Sequence, residues 1–414
     1  MSATSSLVRF ASCAALIAAA VGCTERDPRA VAALTPALEP VVKGNNTFAI
    51  ELYKKAAAKP GNLFFSPFSV SAAFGMTYAG AAGSTAEEMK HVLSIEDDAA
   101  TYHKEFGALI ADLGGVHEGR GYTLRIANRL FGQKDFVFQQ PFLDVTSGAY
   151  AAPLEKVDYA ANAEGARGTI NQWVSDQTEG KIPELFHAGD VDGTTQLALA
   201  NAIYFHADWK LGFDPAKTQT SAFHKPDEST VDVPLMLQSG DFRFASNADV
   251  AVVEMNYEDD ELSMVLLVPQ GDRTLAEVEA TLDANTIDDF LGSSKEHEVT
   301  VGLPRFQVDG RLPLAELLED MGMKKAFNPE EADFSGMADK SVASLYLQTA
   351  VHQAFVKVDE SGTEAAAATG VGVGVTSAPP EIIANRPFLF FIRDRLTTSI
   401  LFAGRVEDPT GTTF

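Results

Sequence analysis

The chain has 414 residues, of which 46% are hydrophobic and 21% charged, and its 57 acidic against 32 basic side chains give a formal net charge of −25. These values are typical of a soluble globular protein and exclude collagen-like, coiled-coil and intrinsically disordered chains. At about 150 residues per domain, the length alone predicts two or three domains. Because the acidic excess repels phosphate and sulfate groups, we expect no nucleic acid, anionic membrane surface or heparin-like polyanion as a partner.

The N-terminal segment is predicted to be an export signal, cleaved after residue 22. Arg9 precedes an unbroken run of apolar or small residues at 10–22, which is shorter than a bilayer-spanning helix and has the length of a signal-peptide core. The run ends in AVGC at 20–23, which resembles a bacterial lipoprotein box, where cleavage before the cysteine lets its thiol carry diacylglycerol. We therefore expect a protein that is lipidated at Cys23 and anchored to a bacterial membrane or cell surface. The alternative is a conventional signal peptide cut nearby, which would leave a periplasmic or secreted protein.

A flexible tether is predicted at 23–44, because this stretch contains three prolines, several alanines and little periodicity. The folded body is then expected to begin at about residue 45. Cys13 and Cys23, the chain's two cysteines, both precede this body. Neither disulfides nor thiolate metal sites can therefore stabilise it.

Helical periodicity dominates the first part of the body and strand patterns dominate the second. Helices are predicted over residues 46–59, 67–82, 84–93, 102–113 and 162–177. Strands are predicted over residues 196–205, 250–257, 262–268, 298–302, 388–392 and 399–404. Residues 84–88 offer two overlapping capping boxes to the third helix. The acidic stretch 258–261 is predicted to be a solvated hairpin turn rather than a metal site. Since regular β-α alternation is missing, the order of elements favours an α+β fold.

The sequence lacks the common enzyme signatures. No two of its eight histidines lie within ten positions of each other, and it contains neither a Walker loop nor a Gly-x-Ser-x-Gly elbow. The glycines at 370–374 superficially resemble a phosphate-binding loop, but TSAPP at 376–380 follows instead of a helix N-terminus. We therefore expect no catalytic residues, metal or cofactor. A Ser/His/Asp triad is a spatial arrangement, which leaves a hydrolase as a minor alternative.

A stretch of small residues at 360–380 has the pattern of a strand that could enter a sheet. One face would carry Thr363, Ala365, Ala367, Thr369, Val371, Val373 and Val375. The other face would carry Glu364, Ala366, Ala368, Gly370, Gly372 and Gly374. Glycine disfavours an isolated strand, so the stretch should remain mobile until a sheet accepts it. No proline interrupts 362–378, which leaves the ladder donors intact. Composition alone would equally suit a disordered linker.

Several separated motifs of the body resemble those of the serpins. They are NLFFSPFS at 62–69, NAIYF at 201–205 with Trp209 and Phe213, VPLM at 233–236, His352 with VDESGTEAA at 358–366, NRPF at 385–388 and FAGRV at 402–406. The resemblance covers about 45–409 and implies that residues 45–414 form a single serpin domain. It implies an α+β serpin fold with a large, mainly antiparallel sheet A, two further sheets, about eight or nine helices and an exposed reactive-centre loop at about 360–380.

The resemblance also implies a function, the suicide-substrate inhibition of serine or cysteine endopeptidases by a monomer. The protease would cut the loop and form an acyl-enzyme, and the cut loop would insert into sheet A and distort the protease. Carrying the family's loop over without a gap puts the reactive bond between Thr376 and Ser377, flanked by Val375 and Ala378, with one or two residues of register left open. Thr376 favours an elastase-like or subtilisin-like target, and the absence of Lys and Arg from the loop argues against a trypsin-like one.

Three groups of residues that control insertion follow from the same resemblance. The hinge would comprise Glu360, Gly362, Thr363, Glu364, Ala365, Ala366, Ala367 and Ala368. The shutter, a polar cluster that controls the opening of the sheet, would comprise Ser66, Ser69, Asn201 and His352. Trp209 would lie in the region that the family calls the breach. The alternating glycines at 370–374 depart from the family pattern, which leaves a non-inhibitory serpin acting as a surface binding or structural protein as the chief alternative.

Overall fold

Two β-sheets and nine α-helices make up the part of the chain that a computed structural model describes, residues 33–116, 121–339, 345–363 and 379–411. The helices are α1 (Glu39–Ala56), α2 (Pro67–Tyr78), α3 (Gly83–Val92), α4 (Ala99–Leu113), α5 (Gln140–Gly148), α6 (Tyr159–Gln177), α7 (Leu275–Ala280), α8 (Thr286–Ser293) and α9 (Leu314–Met321). None of these helices is long and apolar enough to cross a membrane. The predicted signal peptide, Cys23 and residues 364–378 of the predicted loop lie outside the described residues.

The described ranges contain sixteen strands. They are β1 (Leu63–Phe65), β2 (Gly115–Val116), β3 (Tyr122–Gln133), β4 (Glu155–Val157), β5 (Leu197–Asp208), β6 (Gln219–His224), β7 (Thr230–Ser246), β8 (Val250–Asn256), β9 (Leu262–Pro269), β10 (Lys295–Pro304), β11 (Phe306–Pro313), β12 (Thr349–Val358), β13 (Gly362–Thr363), β14 (Glu381–Ile383), β15 (Phe388–Asp394) and β16 (Ile400–Val406).

The first sheet, sheet A, has seven strands in the order β11-β12-β13-β5-β3-β2, with β4 beside β3. Its centre is antiparallel, β11 with β12 and β3 with β5, except where β12 and β5 pair directly with each other in parallel. The second sheet has nine strands, and the long strand β7 joins its two parts, β6-β7-β10-β14 and β7-β8-β9-β15-β16-β1. These two parts correspond to the two further sheets that the sequence predicts.

The core lies between the two sheets, with α1 and α2 packed into it. Strands β15 and β16 are buried at all seven positions each, so both of their faces are covered. A smaller apolar cluster lies on the opposite face of sheet A, which we call the front face. There, Ile170 and Val174 of α6 share a buried cluster with Ala198, Ala200 and Ala202 of β5.

Most of the predicted elements are confirmed with shifted ends, but two details of the N-terminal region are wrong. The first helix starts at Glu39 instead of 46, because Val41 and Val42 are buried in the core, so the end of the predicted tether at 23–44 is helical. The capping boxes predicted at 84–88 do not form, since α3 already begins at Gly83 without a side-chain cap. The turn at 258–261 does join the antiparallel strands β8 and β9.

Candidate functional site

Sheet A has a seam between β12 and β5 that is open at one end. At that end, the two residues of β13 lie between the strands, with Thr363 opposite both Val358 of β12 and Ala207 of β5. Below it, β12 and β5 pair directly over seven residues, beginning with Phe355 opposite Tyr204. We call this directly paired stretch the insertion seam. The start of the predicted loop thus already occupies a strand position, and the remainder of that position is closed.

Gly362, the first residue of β13, lies where a side chain does not fit. A Cβ atom at this position would lie 2.2 Å from the carbonyl oxygen of Ala207 and 2.7 Å from the Cα of Asp208. Both neighbours are backbone atoms of β5, which cannot move without disturbing the ladder. Glycine at the hinge is therefore a steric requirement of the strand's position.

Thr363, the second residue of β13, is fully buried and bound to an aromatic pair. Its hydroxyl lies 2.8 Å from the hydroxyl of Tyr257. The ring of Tyr257 stacks on Trp209, with centroids 4.6 Å apart and planes 6° from parallel. Trp209 in turn donates from Nε1 to the carbonyl oxygen of Asp359 at 3.1 Å. The sequence indicated Trp209 at this point but missed Tyr257, which no local pattern connects to the loop.

Glu360 connects the chain before β13 to the residues that directly precede β6 and β11. The Nε atom of Arg305 donates to both of its carboxylate oxygens, at 2.9 and 2.8 Å, and the hydroxyl of Thr218 donates to it as well. Burial alone would raise the pKa of the Glu360 carboxyl, but the hydrogen bonds from Arg305 and Thr218 hold that pKa below its ordinary value. Glu360 therefore stays ionised and holds the approach to the hinge in place.

The four predicted shutter residues lie behind the insertion seam in one fully buried cluster. Ser66 caps α2, its Oγ accepting the backbone N–H of Ser69 at 3.0 Å and donating to the carbonyl oxygen of Leu401 at 2.6 Å. Asn201 of β5 donates from Nδ2 to the carbonyl oxygen and the hydroxyl of Ser69, each at 2.9 Å. The cluster therefore connects β5 to the start of α2 and to β16.

Asn128 of β3 completes the cluster, although no local pattern in the sequence indicates it. Its Nδ2 donates to the carbonyl oxygen of Ser69 at 3.0 Å, and its Oδ1 accepts from the amide of Asn201. Asn128 lies directly opposite Asn201 in the β3-β5 ladder. Only the register of that ladder identifies Asn128 as a partner of Asn201, and a single sequence does not reveal that register.

His352 of β12 is held as a neutral imidazole across the seam. The backbone N–H of Ser66 can only donate, so Nε2 of His352, 2.9 Å away, must accept and carry no proton. The proton therefore lies on Nδ1, which donates to Oδ1 of Asn201 on β5. Burial lowers the pKa of His352 to about 3, which agrees with this tautomer. Opening the seam between β12 and β5 must break the His352–Asn201 hydrogen bond.

The structure thus brings together the residues of two predicted groups, the hinge start and the shutter, along one line between β12 and β5. The remaining hinge residues, Glu364 to Ala368, and the predicted reactive bond with its neighbours, Val375 to Ala378, lie outside the described residues. In the described ranges, no three His, Cys, Asp or Glu side chains are grouped as a metal site.

The comparisons with known proteins agree with this architecture. The family model described as "Serpin (serine protease inhibitor)" matches residues 43–409. The chain belongs to the serpin family. This serpin is 39% identical to the leukocyte elastase inhibitor of Xenopus tropicalis, over 87% of this chain and 97% of that protein. It is 38% identical to an uncharacterized serpin-like protein of Thermococcus kodakarensis, over 90% and 86% of the two chains.

Solved structures show the same fold. Uncleaved ovalbumin superposes with a TM-score of 0.82 at 27% identity, covering 89% of this serpin and all of that chain. The thermophilic serpin tengpin in its native state also gives a TM-score of 0.82, at 26% identity, covering 89% of this serpin and 94% of tengpin. By sequence, antithrombin-III of Homo sapiens is a further relative, 35% identical over 89% of this serpin and 81% of its own length.

We predict that Gly362→Ala expels β13 from sheet A. The added methyl group cannot fit against Ala207, and overpacking of this kind costs about 1–3 kcal/mol. The amides of Gly362 and Thr363 should exchange hydrogen faster, and the melting temperature should fall. Gly168→Ala in α6 is the matched control, because no atom lies within 4 Å of its added Cβ and alanine favours the helix. Equal exchange at the hinge in both variants would contradict the steric requirement.

We also predict a pH dependence from His352. Its pKa is about 3 in the folded protein against 6.5 ordinarily, so below pH 6.5 the unfolded chain binds a proton that the folded protein does not. Stability should therefore be lost as the pH falls from 6.5 towards 3, by up to about 1.4 kcal/mol per pH unit. The urea midpoint of the wild type should fall more steeply between pH 7 and 5 than that of His352→Gln. Parallel curves would show that His352 is not the neutral group described.

Proposed function

We propose that this serpin inhibits endopeptidases as a suicide substrate, by inserting its cut loop into the seam of sheet A. The observation that carries this proposal is β13, which already lies between β12 and β5 while both strands remain paired below it. A cut near the far end of the loop would free residues 364 onwards to continue the same strand. A protease attached at the cut end would be carried along the sheet.

The topology of the seam favours insertion energetically. β12 and β5 are parallel, so a strand entering between them is antiparallel to both, as β13 already is. One parallel ladder would be replaced by two antiparallel ladders, which are slightly more stable per residue. At about 0.5–1.5 kcal/mol per net hydrogen bond, a dozen or so new bonds would supply on the order of 10 kcal/mol. The uncut protein would then be a kinetically trapped state.

The register of β13 also gives a reason for the side chains of the loop. Continuing the pairing of Thr363 with Ala207 would bring Thr369 opposite Asn201 and His352, on the same buried face as Thr363. A threonine hydroxyl can both donate and accept, so Thr369 could satisfy the shutter groups that separate. Insertion would thus replace the broken His352–Asn201 bond.

The same register accounts for the loop's alternating glycines. On the front face, Gly370 and Gly372 would come opposite Ala200 and Ala198, which are buried beneath α6. Larger side chains there would press against the helix. The glycines, which depart from the family pattern, therefore agree with an inserted strand that α6 must cover, and they favour inhibition over a purely structural role.

For the target, we propose an elastase-like or subtilisin-like serine protease, with cleavage between Thr376 and Ser377. The small Thr376 after Val375 suits a shallow apolar specificity pocket, and the loop carries no basic residue. Relatives named leukocyte elastase inhibitor support the same class. The inhibitor would act as a monomer and form one covalent complex with each protease molecule.

A pair of matched variants tests insertion. Thr363→Arg should leave cleavage intact but abolish protease trapping, because an arginine cannot enter the buried site beside Tyr257. Glu364→Arg is the control, because its parity directs residue 364 to the opposite, solvent-facing side. Wild type and control should form an SDS-resistant complex with an elastase-like or subtilisin-like protease, and the melting temperature of the cut wild type should rise sharply.

The full test exposes the wild type to trypsin-like and papain-like proteases as well as to elastase-like and subtilisin-like ones. Stoichiometric cleavage of the wild type by every protease, with no resistant complex and no loss of protease activity, would overturn the inhibitor proposal in favour of the non-inhibitory alternative.

We further propose that the protein is exported and anchored by a lipid on Cys23. The support is the signal-peptide pattern at 10–22 followed by the lipoprotein-like AVGC at 20–23. Export would expose the loop to extracytoplasmic proteases, and the lipid would keep the inhibitor at the cell surface.

The anchor is tested by expressing the full chain in bacteria with labelled palmitate. Wild type should incorporate label and partition into detergent, whereas Cys23→Ser should do neither. Cys13→Ser is the matched control and should behave as the wild type, because residue 13 lies inside the predicted signal core. An unlabelled wild type released in soluble form would favour the conventional signal peptide.

A further inference from the structure

The chain between α6 and β5, residues 178–196, lies against the front face of sheet A, and we call it the strap. Ile182, Leu185 and Phe186 of the strap are buried in the same cluster as α6 and the alanines of β5. Val191 belongs to that cluster together with Val351, which lies on β12. The strap therefore touches strands on both sides of the insertion seam.

On the β5 side, the strap is fixed to α6 and β3. Oδ1 of Asn171 in α6 accepts the backbone N–H groups of Leu185 and Phe186, at 3.1 and 2.9 Å. The backbone N–H of Gln133 in β3 donates to the carbonyl oxygen of Gln196 at 2.8 Å. These bonds hold the strap to the half of sheet A that contains β3 and β5.

On the other side of the seam, one ion pair ties the strap to β11. Nη2 of Arg311 lies 2.7 Å from Oδ2 of Asp190, and both side chains are about 70% buried, with 29% and 28% of their surface exposed. The same Oδ2 accepts the backbone N–H of His187, which fixes the position of the Asp190 carboxylate. Two weaker contacts accompany it: Nζ of Lys181 lies 5.6 Å from the ring centre of Phe355 on β12, and Nε2 of Gln348, just before β12, lies 3.5 Å from Oδ1 of Asp192.

The ion pair cannot persist unchanged while a strand enters the seam. β11 and β12 are paired along their whole length, so they move together when β12 leaves β5. One new strand adds about 4.8 Å between the two halves of sheet A. That distance exceeds what a 2.7 Å contact can absorb, so the Asp190–Arg311 bond must break or the strap must leave α6.

We propose that the Asp190–Arg311 ion pair is a latch that limits how fast sheet A opens, and thereby sets how many inhibitor molecules are cut for each protease trapped. The second half of this statement rests on the proposed inhibitory function. The first half concerns the sheet alone and can be measured without a protease. Releasing the latch should speed insertion and reduce the fraction of inhibitor lost as ordinary substrate.

The test uses Asp190→Asn and Arg311→Gln. Asparagine keeps an oxygen that can accept from the backbone of His187, so the local turn is retained while the charge is removed. Glu184→Gln is the matched control, because Glu184 lies in the same strap but pairs with Arg167 of α6 at 2.6 Å, on one side of the seam only. All variants are compared in the uncut, full-length protein.

The primary measurement is the rate at which a synthetic peptide with the sequence of residues 363–375 anneals into the uncut protein. We expect rates roughly twofold to fivefold higher for the two latch variants, the effect of losing a partly exposed ion pair, and an unchanged rate for the control. Against a protease that the wild type traps, the latch variants should consume fewer inhibitor molecules per complex. Combining Asp190→Asn with Arg311→Gln should give no further acceleration, because either change alone already breaks the pair.

Annealing at the wild-type rate in both latch variants would overturn the proposal, as would an equal acceleration by Glu184→Gln. Additive accelerations in the double variant would also overturn it, because the two residues would then act independently of each other. Faster annealing without trapping of any protease by the wild type would support the latch and refute inhibition, so the two failures can be distinguished.

Discussion

The direct parallel pairing of β12 with β5 is the interaction on which the rest of the structure depends. It joins seven residues of each strand in a sheet whose centre is otherwise antiparallel. Two buried polar groups along the seam have partners in this closed state, His352 in Asn201 and Thr363 in Tyr257. Closure is therefore locally stable, because each group would lose a partner before the incoming strand could offer a new one.

The polar contacts along the seam are arranged by depth. The Arg305–Glu360 pair is partly exposed at the open end, the Thr363 hydroxyl is buried just below it, and the neutral His352 lies fully buried in the middle. A neutral imidazole avoids the cost of a buried charge that an ion pair at this depth would carry. Charge is thus kept where water can replace it, and uncharged hydrogen bonds are used where water has no access.

Much of the fold and part of the site could be predicted from the sequence. Alternation in the loop placed Thr363 and Glu364 on opposite faces, and Thr363 is buried. The helix predicted from residue 67 begins at Pro67, as α2 does. Tyr257, Arg305 and Asn128 were missed because each meets its partner across a large separation in sequence, through ladder registers that a local pattern does not contain. The start of α1 was missed because burial by distant strands outweighs the unfavourable composition around Pro40.

The two tryptophans of this protein lie in two different regions that strand insertion would affect. Trp209 stacks on Tyr257 at the hinge, and Trp173 in α6 faces Arg129, whose guanidinium carbon is 4.6 Å from the ring centre. Because Trp209 stacks on Tyr257, which follows β8 of the second sheet, and Trp173 lies against β3 of sheet A, the emission of each ring depends on a different region, the hinge or the helix over the front face. The chain thus contains its own pair of optical probes, and the order in which the two regions move could be read without any added label.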